Sequence, residues 1–197
     1  MKNLIQIATT LTLFISAGTA KSSSPEPQCE ATPEFSIGTD LGAWALDGHS
    51  LILSSVSGNC RILLETWGIV VPDSITNLNK DNKDKGWQRE ITEGYSLHLD
   101  TFYGPEDQGW FSGLMFSHFR SEITRRGYED KVSSKTSEVL LKFGYKWDLT
   151  DHFSLEPWIG FGPIWEEVDD SPVGGETYEK NLGNALVTIH GTYKFNP

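Results

Sequence analysis

The chain has 197 residues, with 27 Asp and Glu against 16 Lys and Arg and a net charge of −11 at pH 7. So acidic a chain repels nucleic acid, and two cysteines with few histidines near them do not form a metal-binding framework. The length suits one folded domain.

Lys2, the apolar run Leu4 to Ile15 and the small residues Ser16 to Ala20 follow the charged, apolar and small-residue order of a secretory signal peptide, so residues 1–20 are set aside. The run is shorter than the roughly 20 residues a spanning helix needs. Later apolar runs are each broken within a few residues by Gly or a charge, so a mature chain that enters a membrane must do so as a closed barrel. Residues 21–33, rich in Ser, Pro and Glu without apolar periodicity, are expected to form a flexible periplasmic leader ahead of a domain at 34–197.

From Phe35 onward the pattern is alternation. Phe35 to Leu46 reads as a first strand, Leu51 to Ser57 as a short second, and Arg61 to Val71 as a third with both faces largely apolar. The clearest strand is the fourth, from Trp87 to Tyr103. In it Tyr95, Leu97, Leu99, Thr101 and Tyr103 make one face, and Gly94, Ser96, His98 and Asp100 the other. A fifth strand is expected with Phe111, Met115 and Phe119 on its apolar stripe, and a sixth with Val139, Leu141, Phe143, Tyr145 and Trp147. A seventh carries Phe153, Leu155, Ile159, Phe161 and Trp165, and an eighth Ala185, Val187, Ile189, Tyr193 and Phe195. Gly160 and Gly162 begin no helix and so cradle no phosphate, and Pro157 and Pro163 predict a bend or bulge in the seventh strand. The fold class is therefore all-β, an antiparallel up-and-down barrel of eight strands.

The connections alternate in length. Ser57 to Asn59, Gly104 to Gly109 and Thr150 to His152 are short, whereas Pro72 to Gly86, Arg125 to Ser137 and Glu167 to Leu182 are long and polar; Asp47 to Ser50 is the short member of the second set. Transmembrane barrels have short periplasmic turns and longer external loops, which puts both termini in the periplasm. Cys29 and Cys60 then fall at the same end, in an oxidising compartment, and are expected to form a disulfide.

Alternation alone does not distinguish a membrane barrel from a soluble lipocalin-like periplasmic barrel with an apolar ligand cavity. Three features favour the membrane. The stripes match the roughly 9 to 11 residues of a spanning strand. Arg89 and Glu93 occur on the apolar face only beyond its stripe. Aromatic residues gather near strand ends as interfacial belts, at Trp87, Tyr103, Trp110, Phe111, Trp147, Phe153, Trp165, Tyr193 and Phe195.

The string RILLETWGIVVPD at 61–73, GWQRE at 86–90, FGYKW at 143–147 and LEPWIGFG at 155–162 resemble an uncharacterised family of small bacterial outer-membrane β-barrel proteins. The alternation of Ile189, Gly191, Tyr193 and Phe195 is similar to the terminal signal by which such proteins are inserted, although the chain continues to Asn196 and Pro197. The resemblance implies a Gram-negative outer-membrane location and a barrel fold, and brings no catalytic residues. It implies outer-membrane lipid, lipopolysaccharide and the insertion machinery as partners, with no cofactor and no identified small-molecule ligand.

Candidate chemistry is sparse. Ser96 and His118, both read as lying on the polar face, would meet across a tight hairpin, with Asp100 or Glu122 to orient the imidazole, as acyl transfer or lipid hydrolysis requires. No Gly-x-Ser-x-Gly elbow accompanies them. The competing and preferred reading is a plugged lumen in which Glu138, Lys142, Lys146, Asp148, Glu156, His190 and Lys194 form a mixed-sign network. Glu166, Glu167, Asp169, Asp170, Glu176 and Glu179 offer hard oxygen ligands to a divalent cation, but their spacing fits no calcium loop and reads first as a solvated acidic loop. Arg125 and Arg126 are candidates for lipopolysaccharide phosphates. Function is thus expected to be non-enzymatic, in the envelope structure or in the external loops.

Overall fold

The computed structural model describes residues 32–77, 79–104, 107–181 and 183–195. Eight antiparallel strands close into a ring in chain order: β1 (Glu34–Asp40), β2 (His49–Ser57), β3 (Cys60–Val71), β4 (Trp87–Phe102), β5 (Gly109–Arg125), β6 (Lys131–Asp148), β7 (Phe153–Val168) and β8 (Gly183–Lys194). Two short helices interrupt the order, α1 (Leu41–Ala45) after β1 and α2 (Asp73–Thr76) after β3. The signal-peptide segment, most of the leader and Cys29 lie outside the described residues.

Each strand alternates between a wall of apolar side chains facing out and a packed interior. On β6, Leu141 and Phe143 are exposed while Lys142 and Lys146 between and beyond them are buried. The same holds for Ile62 and Leu64 outside against Arg61 and Leu63 inside on β3. From Phe153 to Trp165 on β7 the exterior rises about 40 Å along the strand, or about 30 Å along the barrel axis at a tilt of about 40°. Tyr103, Trp110, Trp147 and Phe153 ring the short-turn end, and Tyr95 and Trp165 mark the other boundary.

Four expectations are corrected by the ladder. The first strand stops at Asp40, whose carboxylate accepts from Gly42 N at 2.7 Å and Ala43 N at 3.3 Å; this cap starts α1 where alternation predicted strand to Leu46. On β5 the parity is inverted: Phe111, Met115 and Phe119 point inward, and Leu114, Phe116 and His118 point outward. Both faces of that strand meet apolar surroundings, the core cluster of Phe102, Phe111, Met115, Leu140 and Trp158 on one side and the barrel exterior on the other, so hydrophobicity does not fix its register. A register shift between Ile91 and Glu93 reverses the alternation of β4 beyond it, turning Trp87 and Arg89 inward rather than onto the exterior. Trp87 and Phe111 therefore leave the aromatic belt. Finally, β7 keeps an unshifted register against both neighbours, so Pro157 and Pro163 make no bulge; the irregularities lie at Trp67/Ile69 and Ile91/Glu93.

β6 also begins at Lys131, inside the segment expected to be a loop from Arg125 to Ser137, and pairs with β5 up to Thr124. Their outward residues there, Glu122, Lys131, Ser133 and Lys135, are polar. The ladder thus continues above the apolar band.

One stretch of wall is incomplete. β1 pairs with β8 only from Ser36 to Asp40, opposite His190 to Lys194. The upper part of β8, from Gly183 to Ile189, faces α1 in place of a strand. α1 sits close enough that a Cβ on Gly42 would lie 2.2 Å from Thr188 Oγ1, and it turns Leu41 and Trp44 to the exterior.

Candidate functional site

The interior divides into two halves of different charge. Toward the short turns, Arg61 lies between Asp100, 2.8 Å from its Nη2, and Glu156, 2.5 Å from its Nη1, with all three side chains at most 1% exposed. Lys142 reaches Asp100 at 3.2 Å, Lys146 pairs with Asp107, and Lys194 bridges Asp107 at 3.2 Å and Asp148 at 3.3 Å. Arg61, Lys142, Lys146 and Lys194 thus balance Asp100, Asp107, Asp148 and Glu156 one for one. The Arg61 guanidinium also lies over the rings of Phe102 and Phe111. Small residues make the room: a Cβ at Gly144 would meet Phe111 at 2.4 Å, and one at Gly113 would meet Asp100 Oδ1 at 2.2 Å. The expected inward set is found inside, joined by Arg61, Asp100, His98 and Asp107. Arg61 was hidden in the sequence because Ile62, Leu63 and Leu64 after it are apolar on both parities.

Toward the loops the interior opens into a cavity of about 450 Å³. Its walls include Trp67, Ile69, Met115, Phe119, Trp158, Ile164 and Leu186, and its charged groups are Asp40, Glu65, Glu138 and Arg89. Arg89 is already neutralised by Glu166 at 2.7 Å and held by Ser121, Ser134 and Thr136. Glu138 accepts from Asn184 at 2.9 Å, and Asp40 caps α1 and accepts from Thr188. None of Asp40, Glu65 and Glu138 has a Lys or Arg ion pair among the described residues. This half is acidic.

Asp40, Glu65 and His190 bring ligand-type atoms within 4.8 Å of one another at the cavity floor, the arrangement a divalent ion would need. The hydrogen-bond partners argue otherwise. Trp158 Nε1 donates to His190 Nε2 at 2.9 Å, so the neutral imidazole carries its proton on Nδ1. Likewise Lys142 Nζ donates to His98 Nδ1 at 2.7 Å, leaving an Nε2–H 3.3 Å from Glu65 Oε2. Both imidazole lone pairs are occupied. What the floor offers is carboxylate oxygen, and Glu65 Oε1 is buried without a hydrogen-bond partner among the described residues.

The Ser96 and His118 pairing expected from sequence is not formed. Ser96 points inward, bonded to Ser117 at 2.8 Å and to Trp67 Nε1 at 2.8 Å, whereas His118 lies on the exterior against Ser137 at 3.0 Å. Their register partners are Ser117 and Tyr95, so adjacent parity puts the two side chains on opposite faces of the wall. Asp100 belongs to the ion-pair network, and exposed Glu122 pairs with Lys131 at 2.6 Å. No acyl-transfer set can be built from these residues.

The acidic loop does not converge either. Glu166 is buried against Arg89, Glu176 pairs with Lys85 at 2.9 Å, and Glu167, Asp169 and Asp170 are exposed. The hydrogen bond and charge of Lys85 hold the Glu176 carboxyl below its ordinary range. Arg125 is used internally, donating to the carbonyls of Lys85 at 2.9 Å and Gly174 at 2.8 Å, while Arg126 pairs with Asp73 at 2.7 Å on the surface. Together with Trp87, Ile123, Val132, Val173 and Tyr178, these contacts fasten the last loop across the end of the barrel. Burial raises the Tyr178 phenol above its usual range.

No family model and no curated protein matches the chain. Among solved structures it is similar to the crystal structure of a major outer membrane protein from Thermus thermophilus, at 12% sequence identity and a TM-score of 0.48, over 83% of this chain and 100% of that one.

Proposed function

We propose that the chain is an exported, non-enzymatic outer-membrane barrel whose lower lumen is closed by its ion-pair network and whose long loops face outward. One observation carries this reading: the barrel is inside out for a soluble protein. Lys142 and Glu156 are fully buried, while Leu64, Phe161 and Val187 stand exposed on a continuous band. A lipocalin-like barrel needs the reverse, because water would charge the exterior and a ligand cavity would take the apolar side chains. Outer-membrane lipid and lipopolysaccharide are the natural neighbours of the band, and the aromatic end of β8 fits delivery by the insertion machinery.

In cell fractions the protein is expected in the outer membrane and to migrate differently on a gel before and after boiling. Recovery from the periplasm without detergent would sink the proposal. For orientation, single cysteines at Lys83 and Glu129, in a variant lacking Cys29 and Cys60, should react with an impermeant maleimide on intact cells, and one at Asp151 should not.

A depth-dependent test follows from the band itself. Leu141→Arg, near the middle of the exterior stripe, should cost about 2–4 kcal/mol of folding stability in bilayers. The same change at exposed Ser133, above the band, should be neutral. Equal, small effects at both sites in urea unfolding would mean that water surrounds the band.

Cys60 opens β3 at the short-turn end, where β1 also begins. A Cys29–Cys60 disulfide would fasten the leader there, and non-reducing peptide maps should recover the two in one linked fragment. Alkylation of both by iodoacetamide before reduction would disprove it.

A further inference from the structure

The acidic cavity and the gap in the wall lie side by side. Val187 lines the cavity and is 74% exposed on the barrel exterior, and at the upper part of β8, where β1 is missing, α1 packed against Thr188 is what separates the cavity from the outside. Val187 pairs with Ile159, midway along the apolar band. On the reading of a membrane barrel, that seam faces hydrocarbon and is closed by α1 in place of a strand.

We propose that this cavity is a binding site for a single-chain amphiphile with a cationic head, of the class of protonated long-chain amines, taken up from the membrane between α1 and β8. Three features fit that chemistry. The volume lies in the range of roughly 300–1,000 Å³ that holds small organic ligands. The walls are apolar and lead toward lipid, which suits a hydrocarbon tail. The cavity is lined by Asp40 and Glu65 together and by Glu138 from another wall, with no Lys or Arg ion pair to any of them among the described residues, in contrast to the balanced network beneath. An ammonium group brings three donors and a positive charge to those oxygens, Glu65 Oε1 first. An anionic head would bring a further acid to these three, and a neutral one would give them no positive partner.

The test uses the full-length protein in nanodiscs of zwitterionic phosphatidylcholine at pH 7, with radiolabelled dodecylamine, dodecanol and dodecanoate, and empty nanodiscs to subtract partitioning. Dodecylamine should bind one to one and at least about tenfold tighter than either of the others. Glu65→Gln should lower dodecylamine affinity about tenfold and leave dodecanol unchanged. Ile164→Trp, which fills the cavity, should abolish saturable binding. Should Glu65→Gln fail to insert, as judged by its heat-dependent gel mobility, Asp40→Asn takes its place. The wild-type order among the three probes decides the matter without any variant. Equal binding of the three, a preference for dodecanoate, or amine binding that survives Ile164→Trp overturns the site while leaving the membrane barrel intact. Failure to insert into nanodiscs overturns the barrel reading itself.

Discussion

Replacing Arg61 by Met is expected to destabilise the barrel by about 3–5 kcal/mol, the usual cost of removing one partner from a buried ion pair. The side chain is 1% exposed, and its guanidinium serves both Asp100 and Glu156. Lys142 reaches Asp100 but no other cation lies within ion-pair distance of Glu156 among the described residues, so the variant leaves that carboxylate buried and unpaired. Adding Glu156→Gln to Arg61→Met should recover part of the loss, because the charge left behind is removed as well. Arg61→Lys keeps one charge but not the fork that reaches two acids, and should fall between. Urea unfolding in detergent micelles, followed by tryptophan fluorescence, measures all three. A cost under about 1 kcal/mol for Arg61→Met would show that water replaces the guanidinium, and that the lumen is hydrated instead of packed.

The second large effect is expected at Trp87, where truncation to Ala removes the centre of the loop cap. Its ring is fully buried, meets Tyr178 edge to face at 5.5 Å, and packs on Ile123, Val132 and Val173. A cavity of that size costs about 3–5 kcal/mol. The loss falls on one loop, because most of the ladder lies below it. Tryptic cleavage after Lys180 should accelerate by about a hundredfold or more while the strands remain protected. Trp87→Phe should be mild, since the indole N–H has no acceptor among the described residues and loses nothing when removed. Unchanged cleavage in Trp87→Ala would mean that the loop is held without the apolar cluster, by Arg125, the Lys85–Glu176 pair and the hydrogen bonds of Asn79 and Asn82 to Lys180 and Glu179.

The parts of the fold that were legible are those where one physical rule acts alone. On β6 from Glu138 to Asp148, apolar residues outside and, Leu140 apart, charged or small ones inside give clean alternation, and both its faces and its inward lysines are read correctly from sequence. β5 defeats the same rule because Phe111, Met115 and Phe119 fill a core while Leu114 and Phe116 face outward, so either parity looks apolar. Strand length was misread for a related reason: the ladder between β5 and β6 needs only backbone groups, and continues after the apolar signal stops at the edge of the band. The start of α1 did carry a mark, an Asp followed by small residues, which is a helix-capping pattern that strict alternation overlooks. The acidic cavity had none. Asp40, Glu65, Glu138 and Arg89 come from four different strands, and Arg89 reaches it only because a one-residue shift at Ile91/Glu93 turns it inward. The Ser96 and His118 pairing failed by the same margin, one residue of register.

The hoop also closes on one of its two shortest ladders. β1 and β8 join through Ser36–Asp40 and a bond from Phe195 N to the Phe35 carbonyl, and the contact between Asp40 and Thr188 spans 148 residues of chain, whereas every other seam joins consecutive strands. The entropy of bringing the chain's two ends together falls on a ladder no longer than that between β1 and β2, each having five partners, and on one helix turn. β1 is therefore lightly held on both sides, and this strand is where the finished ring is expected to part first.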